Sequence, residues 1–303
     1  MNITFKQIEA FYWAAKLGTF SIAAERLHVT QSSLSKRIAE LEAVLGRELF
    51  DRGRKRAVLT EQGELLLLRA REILDLKQKL ASDLGAEGPL SGICSFGVSE
   101  QSSTTWFPTF MDRLRARFPD LIARPRVGLG RSLERLVLRG ELDFAVIPGV
   151  SSLDGVGSEA VGAVEFEWMS SPRRMARPKR VTAQTFEQHP VILSTADSGV
   201  NLPFEQWVAA HGLTITQSIT CNSLTAIVGL AVAGQGISLL PRHYVQPLVD
   251  RKLLVTLRSA FPFPPITYSF IFRKDDHRRL LREMHSLVCA EVNFTVPNAL
   301  WSA

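Results

Sequence analysis

Cysteine is scarce in this sequence. Cys94, Cys221 and Cys289 lie far apart and are odd in number. Such a set builds neither a disulfide framework nor a zinc-ligand spacing, and a reducing cytoplasm is expected. An apolar leader is missing as well. Met1-Asn2-Ile3-Thr4-Phe5-Lys6 offers no hydrophobic stretch before Glu9 and no cleavage pattern. Long charge-free runs are almost absent. The stretch from Gln206 to Pro241 has no acid or base, but His211, Gln217, Asn222 and Gln235 interrupt it. Gly234-Gln235-Gly236 would break a spanning helix, so a buried soluble segment is expected and no membrane partner. Catalytic signatures are lacking too. Gly229 to Gly236 runs helix, Gly-Gln-Gly, strand, whereas a dinucleotide loop needs strand, glycine turn, helix. Helix capping by glycine explains it. The cysteines lack a nearby His with an orienting partner. His277 and His285 sit on a basic helix at a spacing of eight without carboxylates placed as metal ligands and read as surface residues. No catalytic residue, cofactor or metal is therefore expected.

What is present is ordinary globular material. The chain has 303 residues, 46% hydrophobic and 22% charged, which excludes a disordered, collagen-like or coiled-coil chain. The length suggests two domains or three. The net charge of +6 fits a polyanionic partner. The excess is local. Residues 1–60 hold ten Lys and Arg against six acids, with Lys36-Arg37 adjacent and Arg52 to Arg56 clustered.

The first block reads as three helices. Phe5, Ile8, Phe11, Tyr12 and Ala15 recur at helical spacing, and Gly18 stops the run. A shorter helix follows to Leu27, with Ala23 and Ala24 where a crossing helix must approach closely. A third opens at Thr30 or Gln31. Leu34, Ile38, Leu41 and Leu45 form its buried stripe, and Gly46 ends it. Its other face starts with Gln31, Ser32, Ser33, Ser35, Lys36 and Arg37. Two angled helices with small residues at the crossing and a polar start on the second describe a helix-turn-helix. The chemistry suits DNA. Gln can bond adenine bidentately, Lys or Arg can reach guanine, and hydroxyls hold phosphates. Glu48-Leu49-Phe50 and Ala57-Val58-Leu59 read as two strands of a wing. Arg52, Arg54 and Lys55 stand in its turn, where cations suit a narrow minor groove. Alone, a charge run is a solvated surface and a Gln-Ser-Ser start is a helix cap; their order changes that reading.

The stretch Ala23-Ala24-Glu25-Arg26-Leu27-His28-Val29-Thr30-Gln31-Ser32-Ser33-Leu34-Ser35-Lys36-Arg37-Ile38 resembles the LysR-type transcriptional regulators. The likeness continues, with unbroken spacing, through Leu41-Glu42, Leu45-Gly46, Leu49-Phe50-Asp51-Arg52 and Leu59-Thr60-Glu61-Gln62-Gly63. Ser32 stands where the family frequently has Pro. The resemblance implies a DNA-binding regulator with contacts from Ser21, Thr30, Gln31, Ser32, Ser33, Ser35, Lys36, Arg37, Arg52, Arg54 and Lys55. It also implies a homodimer or homotetramer joined by linker helices, acting with RNA polymerase at target promoters.

Thr60 is a good cap for that linker helix, and Glu61 and Glu64 suit its positive end. Leu66, Ala70, Ile73, Leu80 and Leu84 make a stripe, interrupted by Lys77, for dimerisation. The stripe could instead pack on its own domain. Gly85, Gly88 and Pro89 mark a linker. Beyond Leu90, short apolar runs such as Ile93–Val98, Phe144–Ile147, Val191–Leu193, Ile237–Leu240 and Tyr268–Phe272 alternate with helix-length segments. That is an α/β pattern. By its pattern, this region resembles the family's effector domain, which looks like a type 2 periplasmic binding protein with two lobes.

The expected fold is thus an all-α winged helix-turn-helix at 1–60, a linker helix at 61–88 and an α/β effector-binding domain at 89–303. Lobe I is expected at 90–163 and 267–303, and lobe II at 164–266. Ligands in such sheets bind at the carboxyl ends of strands. Ser99, Ser102 and Ser103 follow the first strand, Gly130 and Ser132 the second, and Pro148 and Gly149 the third. Ser194, Thr195 and Asn222 take the matching places in lobe II. These residues are expected to bind a small-molecule effector, with an organic anion favoured. The competing reading is a cytoplasmic small-molecule-binding protein or enzyme whose N-terminal helices serve only association.

Overall fold

The computed structural model describes residues 2–51, 57–83, 89–175 and 180–301. Its N-terminal block contains α1 (Phe5–Leu17), α2 (Phe20–Arg26) and α3 (Gln31–Leu45). Thr4 and Gln7 form a capping box at the start of α1. Gly18 and Gly46 end α1 and α3 in the left-handed region, at φ +66° and +63°, where a side chain would be strained. Ala23, Ala24, Leu34, Ile38 and Leu41 are buried together with Phe11 and Phe50. The two wing strands are reduced to one antiparallel bridge, Phe50 to Leu59. The wing's base is anchored where Glu42 Oε1 accepts the Leu49 N–H at 2.8 Å. Arg52, Arg54 and Lys55 lie outside the described residues.

Helix α4 (Glu61–Asp83) starts at Thr60, whose hydroxyl accepts the Gly63 N–H at 3.1 Å. Its apolar residues divide between two faces. Leu66 and Ala70 turn inward onto the helix-turn-helix core. Ile73 and Leu80 are exposed, in company with Leu65, Leu68 and Leu76. The stripe expected from the sequence therefore mixes an intrachain face with an outward one, and Leu84 lies outside the described residues. Lys77, which breaks the apolar pattern, pairs with Glu9 of α1 at 2.7 Å and ties α4 to its own block.

The rest of the chain forms two sheets. The elements of the first half are β1 (Gly92–Val98), α5 (Glu100–Ser103), α6 (Phe107–Arg117), β2 (Leu121–Val127), α7 (Gly130–Leu138), β3 (Phe144–Pro148) and β4 (Val156–Val164). Then come β5 (Phe166–Ser170), α8 (Ala183–Gln188), β6 (Val191–Ser194), α9 (Asn201–Ala210), β7 (Ser218–Cys221), α10 (Leu224–Val232), β8 (Ile237–Pro241), α11 (Gln246–Asp250) and β9 (Val255–Thr256). The chain returns with β10 (Ile266–Arg273) and α12 (Arg279–Glu291). One sheet has the order β2-β1-β3-β10-β4, the other β7-β6-β8-β5-β9. Strands β1, β2 and β3 are parallel, while β10 runs antiparallel to β3 and β4. The chain thus passes between lobes at Glu165 and again between β9 and β10.

Aromatic rings fill the first lobe. Phe144 stacks on Phe96 at 5.0 Å and on Phe270 at 4.7 Å. In the second lobe Trp168 is buried against Phe186, Phe204 and Trp207. The lobes also meet through a loop before α9. A Cβ on Gly199 would run into the Pro148 carbonyl oxygen, so only glycine allows this approach.

Candidate nucleic-acid interface and effector cleft

The start of α3 is an exposed polar tip on a buried stem. Gln31, Ser32, Ser35 and Lys36 are exposed, Ser33 and Arg37 half-buried. Thr30 caps the helix by accepting the Ser33 N–H at 3.2 Å, and its hydroxyl meets that of Ser32 at 3.0 Å. No acid occupies the first turn of α3, so its positive end is uncompensated. Ser21 is exposed on α2. Gln31, Ser35 and Lys36 thus stand open to solvent at this end of the helix.

The other end of α2 does not face solvent. The Arg26 side chain is 4% exposed and lies between the helical block and the first lobe. It donates to Asp276 at 2.5 Å, stacks over Trp13 at 3.9 Å from the ring centre and reaches the Gly140 carbonyl at 3.4 Å. Arg278 bonds both Asp143 and Asp276. At the edge Lys16 pairs with Asp275 at 3.4 Å. His28 Nε2 accepts the Ile93 N–H at 3.3 Å, joining the helix-turn-helix to β1. Burial alone would push the Asp276 carboxyl up, but the Arg278 and Arg26 guanidiniums outweigh it and hold it well below the usual carboxylate range. Burial, with Arg278 beside it, pulls Arg26 down to about 10, so it remains a cation at neutral pH.

A cavity of about 490 Å³ lies between the lobes. Ser99, Gly130, Ser132, Pro148, Ser194 and Asn222 line it. Ser102, Ser103, Gly149 and Thr195 are outside its lining. Ser102 is buried against Ser99 at 3.0 Å, and Ser103 donates to the Glu100 carbonyl at 2.7 Å. These hydroxyls close the turn after β1 by local bonds, the commoner fate of a Ser-rich turn. The sequence reading passed over Glu100, Gln101 and Tyr268, which also line the cavity. Glu100 reaches across the cleft to the start of α10, where Leu224 N–H donates to it at 2.7 Å. Asp197 bridges from the other lobe to Arg135 at 3.2 Å. The Arg135 bond draws the Asp197 carboxyl below its ordinary value. Nothing in the sequence pairs Glu100 with residue 224 or Asp197 with Arg135; only the fold does.

Helix α7 connects the two places. Gly130 at its start lines the cavity, and Gly140, just past its end, meets Arg26. Its nine residues span roughly 13 Å. Among the described residues no group of three or more His, Cys, Asp or Glu converges as for a metal, and no helix is long and apolar enough to cross a membrane.

The family model described as "Bacterial regulatory helix-turn-helix protein, lysR family" matches residues 5–64, and "LysR substrate binding domain" matches residues 87–291. The chain belongs to the LysR family of transcriptional regulators. Among curated relatives, the HTH-type transcriptional regulator YofA of Bacillus velezensis is 29% identical over 273 residues, covering 88% of this chain and 91% of that one. A full-length OxyR variant from Pseudomonas aeruginosa shares the fold at a TM-score of 0.65 and 19% identity, covering 96% of this chain and 95% of its own. The effector binding domain of QuiR in complex with shikimate aligns at a TM-score of 0.59 and 13% identity, over 66% of this chain and 97% of that domain. This LysR-type regulator is therefore a DNA-binding protein with an effector-binding domain. Its named relatives are regulators and not enzymes, which decides against the reading as an enzyme with an association module.

The Arg26 junction of the regulator has a pH signature. A carboxyl held below its unfolded pKa stabilises the fold above about pH 4, and that stabilisation is lost as pH falls toward the depressed value. Asp276→Asn should cost roughly 3 kcal/mol at neutral pH, because the buried Arg26 and the half-buried Arg278 lose an acid. The wild-type chain should lose stability steeply in acid and the variant less, so the gap between them narrows. Urea midpoints at neutral and acidic pH measure this. A gap that stays constant contradicts the assignment.

Proposed function

We propose that α3 enters the major groove of double-stranded DNA and reads base edges with Gln31, Ser35 and Lys36. Ser21, Thr30, Ser32, Ser33 and Arg37 hold flanking phosphates, and Arg52, Arg54 and Lys55 reach the minor groove or its phosphates. The observation that carries this reading is the exposed, acid-free start of α3 above a buried Leu34-Ile38-Leu41 stem. Two such helices one DNA turn apart need a symmetric connector. The outward face of α4 supplies it: Leu65, Leu68, Ile73, Leu76 and Leu80 are exposed on one chain and are covered by a second copy, in a homodimer or homotetramer. The setting is the cytoplasm, and the partner at promoters is RNA polymerase.

The effector enters the cavity between the lobes. QuiR, whose effector domain is described with shikimate, supports a small molecule there. A ligand that binds one lobe arrangement better than another shifts the population toward it. Helix α7 then carries the shift from Gly130 to Gly140 and so to Arg26. The spacing and angle of the two recognition helices change, and with them the bending of DNA.

Two experiments test the reading. Arg37→Ala should lower the salt dependence of binding to the protein's own promoter region by about one unit of slope. Binding that is unselective for sequence, or a slope that Arg37→Ala leaves unchanged, would count against the interface. Leu76→Asp with Leu80→Asp should convert the oligomer to monomers in sedimentation while leaving the exposed helix folded, since both residues are 60% exposed or more. An unaltered oligomer would place the contact elsewhere.

A further inference from the structure

We infer that Glu100 is an internal ligand: its carboxylate fills an anion site at the start of α10 and so holds the two lobes together across the cleft. Glu100 belongs to the first lobe, in the turn that follows β1. That turn closes without its side chain. Ser99 Oγ accepts the Ser102 N–H at 3.3 Å, and the Ser103 hydroxyl donates to the Glu100 carbonyl at 2.7 Å. The carboxylate is left to reach the other lobe.

Its partners there are the donors of one helix end. Oε1 accepts from the Ser223 hydroxyl at 3.1 Å and the Thr225 N–H at 3.0 Å, and Oε2 accepts from the Leu224 N–H at 2.7 Å. The Ala226 N–H donates to Ser223 Oγ at 3.3 Å, which completes the first turn of α10. The first N–H groups of a helix have no partner within it, and the helix dipole puts partial positive charge at that end. A carboxylate there is held by charge-assisted hydrogen bonds. Helix α10 has no acid in its first turn, and from Gln206 to Pro241 the chain has no acid or base at all. The flanking sequence of the second lobe thus supplies no charge for this site, and Glu100 brings one from the first.

The joint borders the cavity, which Glu100, Asn222 and Leu224 all line. Beside it the Thr104 hydroxyl of the first lobe meets the Tyr244 hydroxyl of the second at 3.3 Å. A separate joint lies at the start of α7, where the Asp197 carbonyl accepts the Arg131 N–H at 3.0 Å. A ligand carboxylate that takes the α10 donors displaces Glu100, and the lobes lose their first joint; this consequence rests on the cleft being the effector site. The organic anion expected from the sequence is then a competitor of Glu100.

The test reads backbone hydrogen exchange in the full chain and needs no effector. Glu100→Ala should speed exchange of the Leu224 and Thr225 amides about tenfold, the worth of hydrogen bonds to a charged group. Glu100→Gln, which keeps the size and loses the charge, should speed it less. Sodium acetate at about 0.2 M should restore protection to those amides in Glu100→Ala, and sodium chloride at equal concentration should not. The Arg131 amide at the separate joint should exchange about threefold faster in Glu100→Ala and stay fast in acetate, because free acetate ties no lobe to the other. Leu224 and Thr225 amides that exchange as in the wild type overturn Glu100 as the ligand. Acetate no better than chloride overturns the anion site. An Arg131 amide unmoved by Glu100→Ala overturns the link between lobes. An equal rise in the core strands β3 and β8 would mean general loosening, and overturns the link as well. None of these outcomes depends on where the effector binds.

Discussion

A buried cation stands at the centre of the joint between the two halves of this molecule. Arg26 belongs to the second helix of the DNA-reading block, yet its guanidinium is spent inside the chain, between Trp13 and Asp276. Removing such a charge from water costs several kcal/mol, and only excellent local pairing offsets it. The pairing comes from far along the sequence, from Asp143 and Asp276, the two carboxylates that Arg278 also binds. Moving the helical block away from the first lobe would strand buried charges on both sides. The orientation of α3 is therefore tied to the sheet that forms one wall of the cavity between the lobes.

This constraint gives α7 its mechanical meaning. A short helix with one end in the interlobe cavity and the other at a buried ion cluster is stiff over its length. At the cleft the lobes meet through Glu100 on α10, Asp197 on Arg135 and Gly199 on Pro148. The Asp197–Arg135 pair is exposed, and such pairs are individually weak. In the proposed mechanism ligand energy moves the lobes, and the first lobe carries the helical block with it.

Much of the fold was legible because it follows local rules. The three helices of the first block announced themselves through Gly18, Gly46 and the Leu34-Ile38-Leu41 stripe. Strands β1, β3, β6, β8 and β10 are short apolar runs buried in the sheets. Strands β4 and β5 were passed over: β4 is an edge strand, exposed and glycine-rich, and shifts register beside Tyr268. The candidate site was less legible. Ser102 and Ser103 looked like ligand hydroxyls but satisfy their own turn. Gln101 went unremarked and is a buried residue of the cavity lining. On α4, spacing alone could not say which of two apolar faces turns inward. Leu66 and Ala70 cover the block's own core, leaving Leu65, Leu68 and Leu76 outside. Arg26 sat unnoticed inside the most recognisable motif in the chain, since its partners lie up to 250 residues away in sequence.

The most direct test of the account is a double-mutant cycle between Arg26→Met and Asp276→Asn, read by urea unfolding of the full chain. The two positions belong to different domains, so without contact their effects would add. The account predicts that each substitution is costly and that the pair costs less than the sum by about 1–3 kcal/mol. Simple additivity would show that the DNA-reading block and the effector domain are not joined through this arginine.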